Sequence, residues 1–262
     1  MGISAMIATK RTFLKTFFLI SIAIITSVFS LSCETPVTGP SVTQEELRRE
    51  TQKLQAENRV HRIEKREPSF IFKSPAQEEA MVKSVGSKVL KQVGEPVKID
   101  FEIQESRDVN AGATVRKIVV TTGMMRFLKS DDELAVVLGH EIAHIVKGHI
   151  EKSIISNIPV IIGSQMAESA MPGSGKIVEM GGSIFTQKFS RDMEREADYF
   201  GIQYAYKAGY DVMAGVKIWE RFAIELPESQ RAGIFSSHPS STERLVRAEK
   251  IAESLEERSR PK

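Results

Sequence analysis

The stretch His140-Glu141-Ile142-Ala143-His144 constrains this chain most, because it places two histidines four positions apart. On an α-helix such residues share a face one turn apart, so both imidazoles can point at one metal ion. This HExxH pattern is typical of zinc sites, and Glu141 is placed to act as a base on a zinc-held water. The alternative is two hydrogen-bonded histidines beside a core. We favour the metal site.

The residues around this pattern predict a long, capped helix. Ser130 and Glu133 have the spacing of a capping box, in which each side chain bonds the other residue's backbone N–H. We expect the helix to start there and Gly148 to end it. Apolar residues at helical spacing predict a core face, with the histidines and Glu141 beside it. They are Leu134, Val137, Leu138, Ile142 and Ile145.

A zinc site built on HExxH needs a third protein ligand. In one class of enzymes this ligand is a histidine, which would be at position 150 here, after a glycine at position 147. This chain has Lys147 and Ile150 at those positions. The alternative is a glutamate on a second helix. Glu194 and Glu196 both lie in a segment of helical periodicity that ends at Gly209. Spacing alone does not choose between the two glutamates.

The pairing of HEIAH with SRDMEREAD at residues 190–198 resembles the HtpX-type and CAAX-prenyl-protease-like zinc metallopeptidases. DELA at 132–135, VVTTG at 119–123 and His238-Pro239 also fit this family. The resemblance implies a mainly helical, zincin-type α+β fold with a small β-sheet beside the HExxH helix. It also implies peptide-bond hydrolysis with one zinc ion per chain. Carried over by motif, Glu194 is the third zinc ligand and Asp198 orients a ligating histidine.

Two further histidines, His149 and His238, each have two alternative roles. His149 lies nine residues after His140, about 180° around a continuous helix, so it reaches the same site only if the helix breaks at Gly148. We expect it to be structural or to contact a ligand instead of the metal. The resemblance places His238 near the metal, where it would stabilise the transition-state oxyanion or cap the zinc in a resting form. The alternative for His238 is a position facing solvent.

An edge strand is the expected site of substrate binding. Where related chains tend to read NAFATPGG, this chain has NAGATVRK at 110–117, and the resemblance implies that this strand holds an extended substrate. We therefore expect Asn110, Ala111, Gly112 and Ala113 to bind substrate. Loss of the phenylalanine and of both glycines affects the expected substrate preference, not the zinc site. A plain edge strand covered by a loop is the alternative.

The rest of the globular part predicts an α+β unit. Ser74 and Gln77 form a second capping signal, and the helix that follows is expected to run until Gly94. Alternating residues predict a half-buried strand over 98–105, and an apolar run predicts a second over 117–122. Between the two ligand helices, residues 154–185 predict a lid or plug over the cleft, or alternatively a surface helical hairpin.

Residues 1–32 predict a bacterial lipoprotein signal peptide. A basic region precedes an uncharged, mostly apolar stretch at 17–31, too short for the roughly 18 residues of a spanning helix. Ser30-Leu31-Ser32-Cys33 then resembles a lipoprotein cleavage box in which Cys33 receives the lipid. The alternative is an uncleaved anchor or an ordinary signal peptide. Both place the domain outside the cytoplasm, facing the periplasm, and Glu34 favours the outer membrane.

Residues 33–69 predict a tether and a charged helix that begins at the capping pair Thr43 and Glu46. Because few of its positions are apolar, this helix is expected to be a stalk or a strap. The zinc metallopeptidase domain is expected over 70–262.

Charge and cysteine content limit the partners. The chain has 36 basic and 34 acidic residues, so nothing indicates nucleic acid, and its single cysteine excludes intrachain disulfides. We expect polypeptide substrates, a membrane contact through the lipid and possible outer-membrane assembly partners. The predicted function is zinc-dependent endopeptidase activity on unfolded or misassembled envelope proteins. The alternative is a lipoprotein chaperone or adaptor with a plugged, rarely active site.

Overall fold

The computed structural model describes residues 39–64, 73–156, 188–226, 238 and 242–259, with side chains only as far as Glu57 in the first range. The predicted signal peptide, Cys33, the tether up to residue 38 and most of the segment 154–185 lie outside these residues. So do both predicted domain boundaries. None of the helices in the described part is long and apolar enough to cross a membrane.

Helices make up most of the described chain. They are α1 Gln44–Glu64, α2 Pro75–Leu90, α3 Thr122–Phe127, α4 Asp131–Val146, α5 Arg191–Lys207, α6 Val212–Gly215, α7 Lys217–Ile224 and α8 Thr242–Ser259. Residues 149–156 are also helical. The short α3 follows the last strand directly and was not predicted from the sequence. Helices and a small sheet together confirm the expected α+β class.

The sheet has three strands, β1 Asp100–Gln104, β2 Ala111–Ala113 and β3 Lys117–Thr121. β3 lies in the middle, parallel to β1 and antiparallel to β2. The predicted alternation of β1 is confirmed at Phe101, which is buried between exposed neighbours. β2 forms one edge of this sheet, and it packs against α4.

The HExxH helix α4 is the centre of the domain. It packs against α2, α5, α6 and the strands β2 and β3. Every residue from 133 to 145 is buried, including both histidines and Glu141. The five residues predicted for the core face are buried, but the other faces of the helix are buried too, because neighbouring elements cover it. The predicted end is confirmed, since Gly148 has a left-handed φ of +66° just beyond the last turn.

Two of the three predicted capping boxes form completely. The side chains of Ser74 and Gln77 each bond the other residue's backbone N–H, and Thr43 and Glu46 do the same. At Ser130 only half of the box forms, because its hydroxyl accepts from the N–H of Glu133. The Glu133 carboxylate instead accepts from the Lys129 N–H and pairs with Arg221 of α7.

The charged helix α1 is a strap across the domain. Lys250 of α8 pairs with Glu46, and Lys53 pairs with Glu220 of α7 at 3.0 Å. Just before the helix, Arg247 of α8 donates to the carbonyl oxygen of Pro40. Helix α1 is therefore largely solvated but is held to α7 and α8 by specific ion pairs, as expected for a strap.

A close backbone approach sets the distance between α4 and α5. A Cβ atom on Gly139 would lie 2.4 Å from the Gly201 carbonyl oxygen, and one on Gly201 would lie 2.6 Å from the backbone nitrogen of His140. Neither backbone can move without moving its helix, so both positions require glycine. The two helices therefore cross directly beside the first histidine of the HExxH pattern.

Candidate metal centre

Four side chains bring potential metal-binding atoms together in the buried interior, within 4.8 Å of one another. They are His140 and His144 of α4, Glu194 in the first turn of α5, and His238. Nε2 of His140 lies 3.0 Å from Nε2 of His144 and 3.2 Å from Nδ1 of His238. Glu194 lies 3.5 Å from both Nε2 atoms and 3.1 Å from Nδ1 of His238.

These separations fit a metal ion. Ligands about 2.1 Å from a metal at tetrahedral angles lie about 3.4 Å from one another, which is close to the observed range. The two Nε2 atoms both face the centre of the cluster, as metal coordination requires. Three histidines and a carboxylate in a nearly solvent-free interior are also a typical donor set for a divalent transition metal. The residues present therefore form a possible metal-binding site.

Local structure presents Glu194 to this cluster. Ser190 caps α5 by accepting from the Met193 N–H, so Glu194 lies in the first helical turn and points into the interior. Its side chain is almost fully buried, whereas that of Glu196 is 22% exposed. The structure thus brings Glu194 into the cluster and keeps Glu196 outside it.

The outer side of His140 is held by a buried ion pair. Nδ1 of His140 lies 3.0 Å from Oδ1 of Asp198. Arg244 of α8 donates from Nε and Nη2 to the two oxygens of Asp198, both at 2.8 Å. Its third nitrogen, Nη1, lies 2.5 Å from Glu194. One guanidinium therefore joins two carboxylates of α5 to α8.

Arg244 dominates the electrostatics of this region. Burial pushes the pKa of Asp198 up, but the charge and hydrogen bonds of Arg244 bring it down to about 2. Burial opposes ionisation of Glu194 too, and the positive charges of Arg244 and His238 hold its pKa well below the usual range. Both carboxylates are therefore ionised at neutral pH, which suits ligand and ligand-orienting roles.

The outer side of His144 has a different partner. Nδ1 of His144 lies 3.0 Å from Nδ1 of His149, whose Nε2 lies 3.2 Å from Oε2 of Glu196. The break at Gly148 carries His149 back towards the helix that it follows, although a continuous helix would have turned it away. Burial lowers the pKa of both imidazoles, so both are neutral near pH 7.

Glu141 and His238 face each other across the cluster. Nε2 of His238 lies 3.4 Å from Oε1 of Glu141. The other carboxylate oxygen of Glu141 is buried and has no hydrogen-bond partner among the described residues. A buried carboxylate oxygen of this kind is available to accept a proton from a small molecule in the site. Burial lowers the pKa of His238, but the carboxylates of Glu141 and Glu194 outweigh it and raise the pKa overall.

Aromatic rings cover His140 and His144. The ring of Phe189 stacks on His144 with 3.9 Å between centroids, and Trp219 of α7 meets His140 edge to face at 5.6 Å. Arg244 lies over the Trp219 ring at 4.7 Å. These rings exclude water from the cluster and strengthen its electrostatic interactions.

The predicted substrate strand lies outside the cluster. Asn110, Ala111, Gly112 and Ala113 are all buried at the β2 edge beside α4. Sequence reasoning missed Arg244, and it considered Glu196 only as an alternative metal ligand. Arg244 lies on a charged helix, and only its position six residues after His238 could have drawn attention to it.

Comparison with known proteins identifies the family. The family described as "Peptidase family M48" matches residues 76–252. The Arabidopsis thaliana mitochondrial metalloendopeptidase OMA1 is 35% identical over 144 residues, which are 53% of this chain and 29% of that protein. Escherichia coli metalloprotease LoiP is 28% identical over 161 residues, 58% of this chain and 61% of LoiP. E. coli metalloprotease YcaL is 31% identical over 173 residues, 60% of this chain and 65% of YcaL.

The matched region covers less than two thirds of each of these relatives. It includes the HExxH helix, Glu194 and His238, all of which lie between residues 76 and 252. The match to the family extends over more than half of the chain and over the whole buried cluster. This chain therefore belongs to peptidase family M48.

Proposed function

We propose that this chain is a zinc-dependent metalloendopeptidase whose metal is held by His140, His144 and Glu194. The observation that carries this proposal is the convergence of both Nε2 atoms and the Glu194 carboxylate on one buried point. Two imidazoles and one carboxylate are a common ligand set for catalytic zinc. A zinc ion bound there would lower the pKa of a water molecule to near 7 and polarise a peptide carbonyl.

Side chains that do not bind the metal carry out the remaining steps. Glu141 has a buried oxygen to which no described residue donates a hydrogen bond, so it can take a proton from the attacking water and pass it to the leaving amine. Asp198 and Arg244 hold His140 and Glu194 in place and keep the carboxylates ionised. The aromatic rings of Phe189 and Trp219 exclude bulk water from the reaction.

His238 determines whether the site is open. Its Nδ1 lies 3.2 Å from His140 and 3.1 Å from Glu194, closer than these two residues lie to each other, so it would be a fourth ligand if a metal were bound. We propose that the arrangement seen here is a resting form and that His238 moves away to admit water. Replacement of His238 by alanine tests this against the oxyanion role, because opening the site raises kcat whereas loss of an oxyanion donor lowers it.

Substrate docking is proposed along β2, by addition of an extended polypeptide to the sheet edge. Since residues 110–113 are buried, docking requires that whatever covers this edge moves. This proposal is tested with peptides N-methylated at single positions. Loss of cleavage at alternate positions indicates strand pairing, and a uniform response contradicts it.

The central experiment compares Glu141→Gln with the wild type. We expect the variant to keep one zinc per chain by elemental analysis and to lose casein cleavage, since the base is removed and the ligands remain. Glu194→Ala is expected to lose tight zinc binding. Full activity of Glu141→Gln, or wild-type zinc binding by Glu194→Ala, contradicts the proposal.

We further propose that Cys33 carries a lipid that tethers the domain to the periplasmic face of a membrane, with the outer membrane favoured. The signal-like composition of residues 1–32 supports this. Labelled palmitate is expected to enter the wild type and not Cys33→Ala, and equal labelling of both refutes the anchor. Unfolded or misassembled envelope proteins are the proposed substrates. Contact with outer-membrane assembly proteins stays a prediction.

A further inference from the structure

A line of three polar side chains runs from the metal centre towards the surface. It begins at His144, continues through His149 and ends at Glu196, with atom separations of 3.0 Å and 3.2 Å. Both rings are completely buried, and the glutamate side chain is 22% exposed. The proposed catalysis uses neither His149 nor Glu196, so their alignment needs another explanation.

The protons on this line are fixed by the ligand role of His144. A neutral imidazole that binds a metal through Nε2 carries its proton on Nδ1 and must donate it. The acceptor at 3.0 Å is Nδ1 of His149, which must then be unprotonated. The His149 proton is consequently on Nε2, where it is donated to the Glu196 carboxylate. Each histidine in the line therefore has only one tautomer that is consistent with these hydrogen bonds.

We propose that His149 and Glu196 are positioning residues that hold His144 in the tautomer and orientation in which Nε2 faces the zinc. This inference rests on the proposed zinc site. A ligand histidine commonly donates its second N–H to a carboxylate or a carbonyl, and here a second histidine stands between them. Nδ1 of His149, 3.0 Å from Nδ1 of His144, is the acceptor for this N–H.

The backbone supports this role. The turn at Gly148, with φ of +66°, brings His149 against the outer side of His144. Glu196 is on α5, two residues after the ligand Glu194, so one helix provides both a ligand and the last member of the line. The close approach of α4 and α5 at Gly139 and Gly201 therefore sets both the distance from Glu194 to the ligand histidines and the distance from Glu196 to His149.

Zinc affinity of the full chain, measured by competition with a chelating dye, tests the proposal. We expect Glu196→Ala to bind zinc about 10- to 100-fold more weakly, as is usual for loss of a ligand's hydrogen-bond partner, and Glu196→Gln to recover part of this. The matched control is Asp192→Ala on the same helix, whose exposed side chain pairs with Arg195 and should leave affinity unchanged.

A double mutant separates positioning from general damage. If Glu196 acts through His149, the pair Glu196→Ala with His149→Ala should bind zinc as weakly as His149→Ala alone. Additive losses, or wild-type affinity in Glu196→Ala, overturn the proposal. If the wild type binds zinc and Glu194→Ala does not, the proposed function stands whatever Glu196 shows, so the two failures are distinguishable.

A spectroscopic measurement on the wild type does not depend on variants that fold. The chain has only five histidines, so long-range ¹H–¹⁵N spectra of the zinc-loaded protein can resolve each tautomer. We expect His144 to carry its proton on Nδ1 and His149 on Nε2. A His149 protonated on Nδ1, or on both nitrogens, contradicts the inferred line.

Discussion

The outer nitrogens of the two HExxH histidines are held in different ways. His140 meets Asp198, which forms a buried, doubly bonded ion pair with Arg244. His144 meets the neutral ring of His149, whose partner Glu196 lies at the edge of solvent. The first arrangement places full charges in the interior and ties α5 to α8, whereas the second places none there.

This difference predicts that the two sides contribute differently to folding stability and to metal binding. A buried ion pair is strongly destabilising when one member is removed, because an uncompensated charge remains in the interior. Removal of a neutral hydrogen-bond partner, or of a carboxylate at the edge of solvent, costs less. We therefore expect the Asp198 side of the site to determine both folding and metal binding, and the His149 side to affect mainly metal binding.

The largest effect is expected from Arg244→Met. Methionine fills similar space without the charge, so Asp198 and Glu194 lose the cation that pairs with both of them. We expect the free energy of unfolding of the metal-free protein to fall by about 3–5 kcal/mol, as measured by urea denaturation.

The matched control for this variant is Arg195→Met. Arg195 also pairs with two carboxylates, Asp192 and Glu243, but its side chain is 22% exposed. We expect a loss below about 1 kcal/mol, as for other surface pairs. Equal losses in the two variants would show that burial does not distinguish the two sides of the site.

Gly201→Ala should affect both sides together. The added methyl group would lie 2.6 Å from the His140 nitrogen, so α5 must move away from α4. Asp198 and Glu196 move with α5, and both outer contacts lengthen. We expect a loss of about 1–3 kcal/mol in unfolding free energy, by chemical denaturation, together with weaker zinc binding. A variant that is destabilised but keeps wild-type zinc affinity would show that the helix separation does not set these contacts.

Local signals predicted much of the fold, because they act within a few residues. The boxes at Thr43 and Ser74, the turn at Gly148 and the strand around Phe101 all depend on near neighbours. The Ser130 box was half wrong, since the Glu133 carboxylate is taken by Arg221, 88 residues away. Short-range spacing carries no information about such a partner.

The same limit applies to the site. HExxH specified two side chains through helix geometry alone, whereas the choice of Glu194 needed a family resemblance. Arg244 and the pair formed by His149 and Glu196 depend on how α4, α5 and α8 pack against one another. No periodicity in the sequence records that packing, so Arg244 and the contact between His149 and Glu196 emerged only from the folded chain.

Among the variants designed to perturb the site, Gly148→Ala is expected to affect stability least, and it isolates the His144 side. Alanine at a φ of +66° costs about 1–2 kcal/mol. Gly209, which follows α5 at a φ of +84° and has no atom of the described residues within 4 Å of an added Cβ, is the control. Both alanine variants should lose similar stability in thermal unfolding. Only Gly148→Ala should weaken zinc binding, because its turn carries His149. Equal zinc affinities in the two variants would show that His144 keeps its orientation without His149. The different contacts of His140 and His144 would then not lead to different effects on zinc binding.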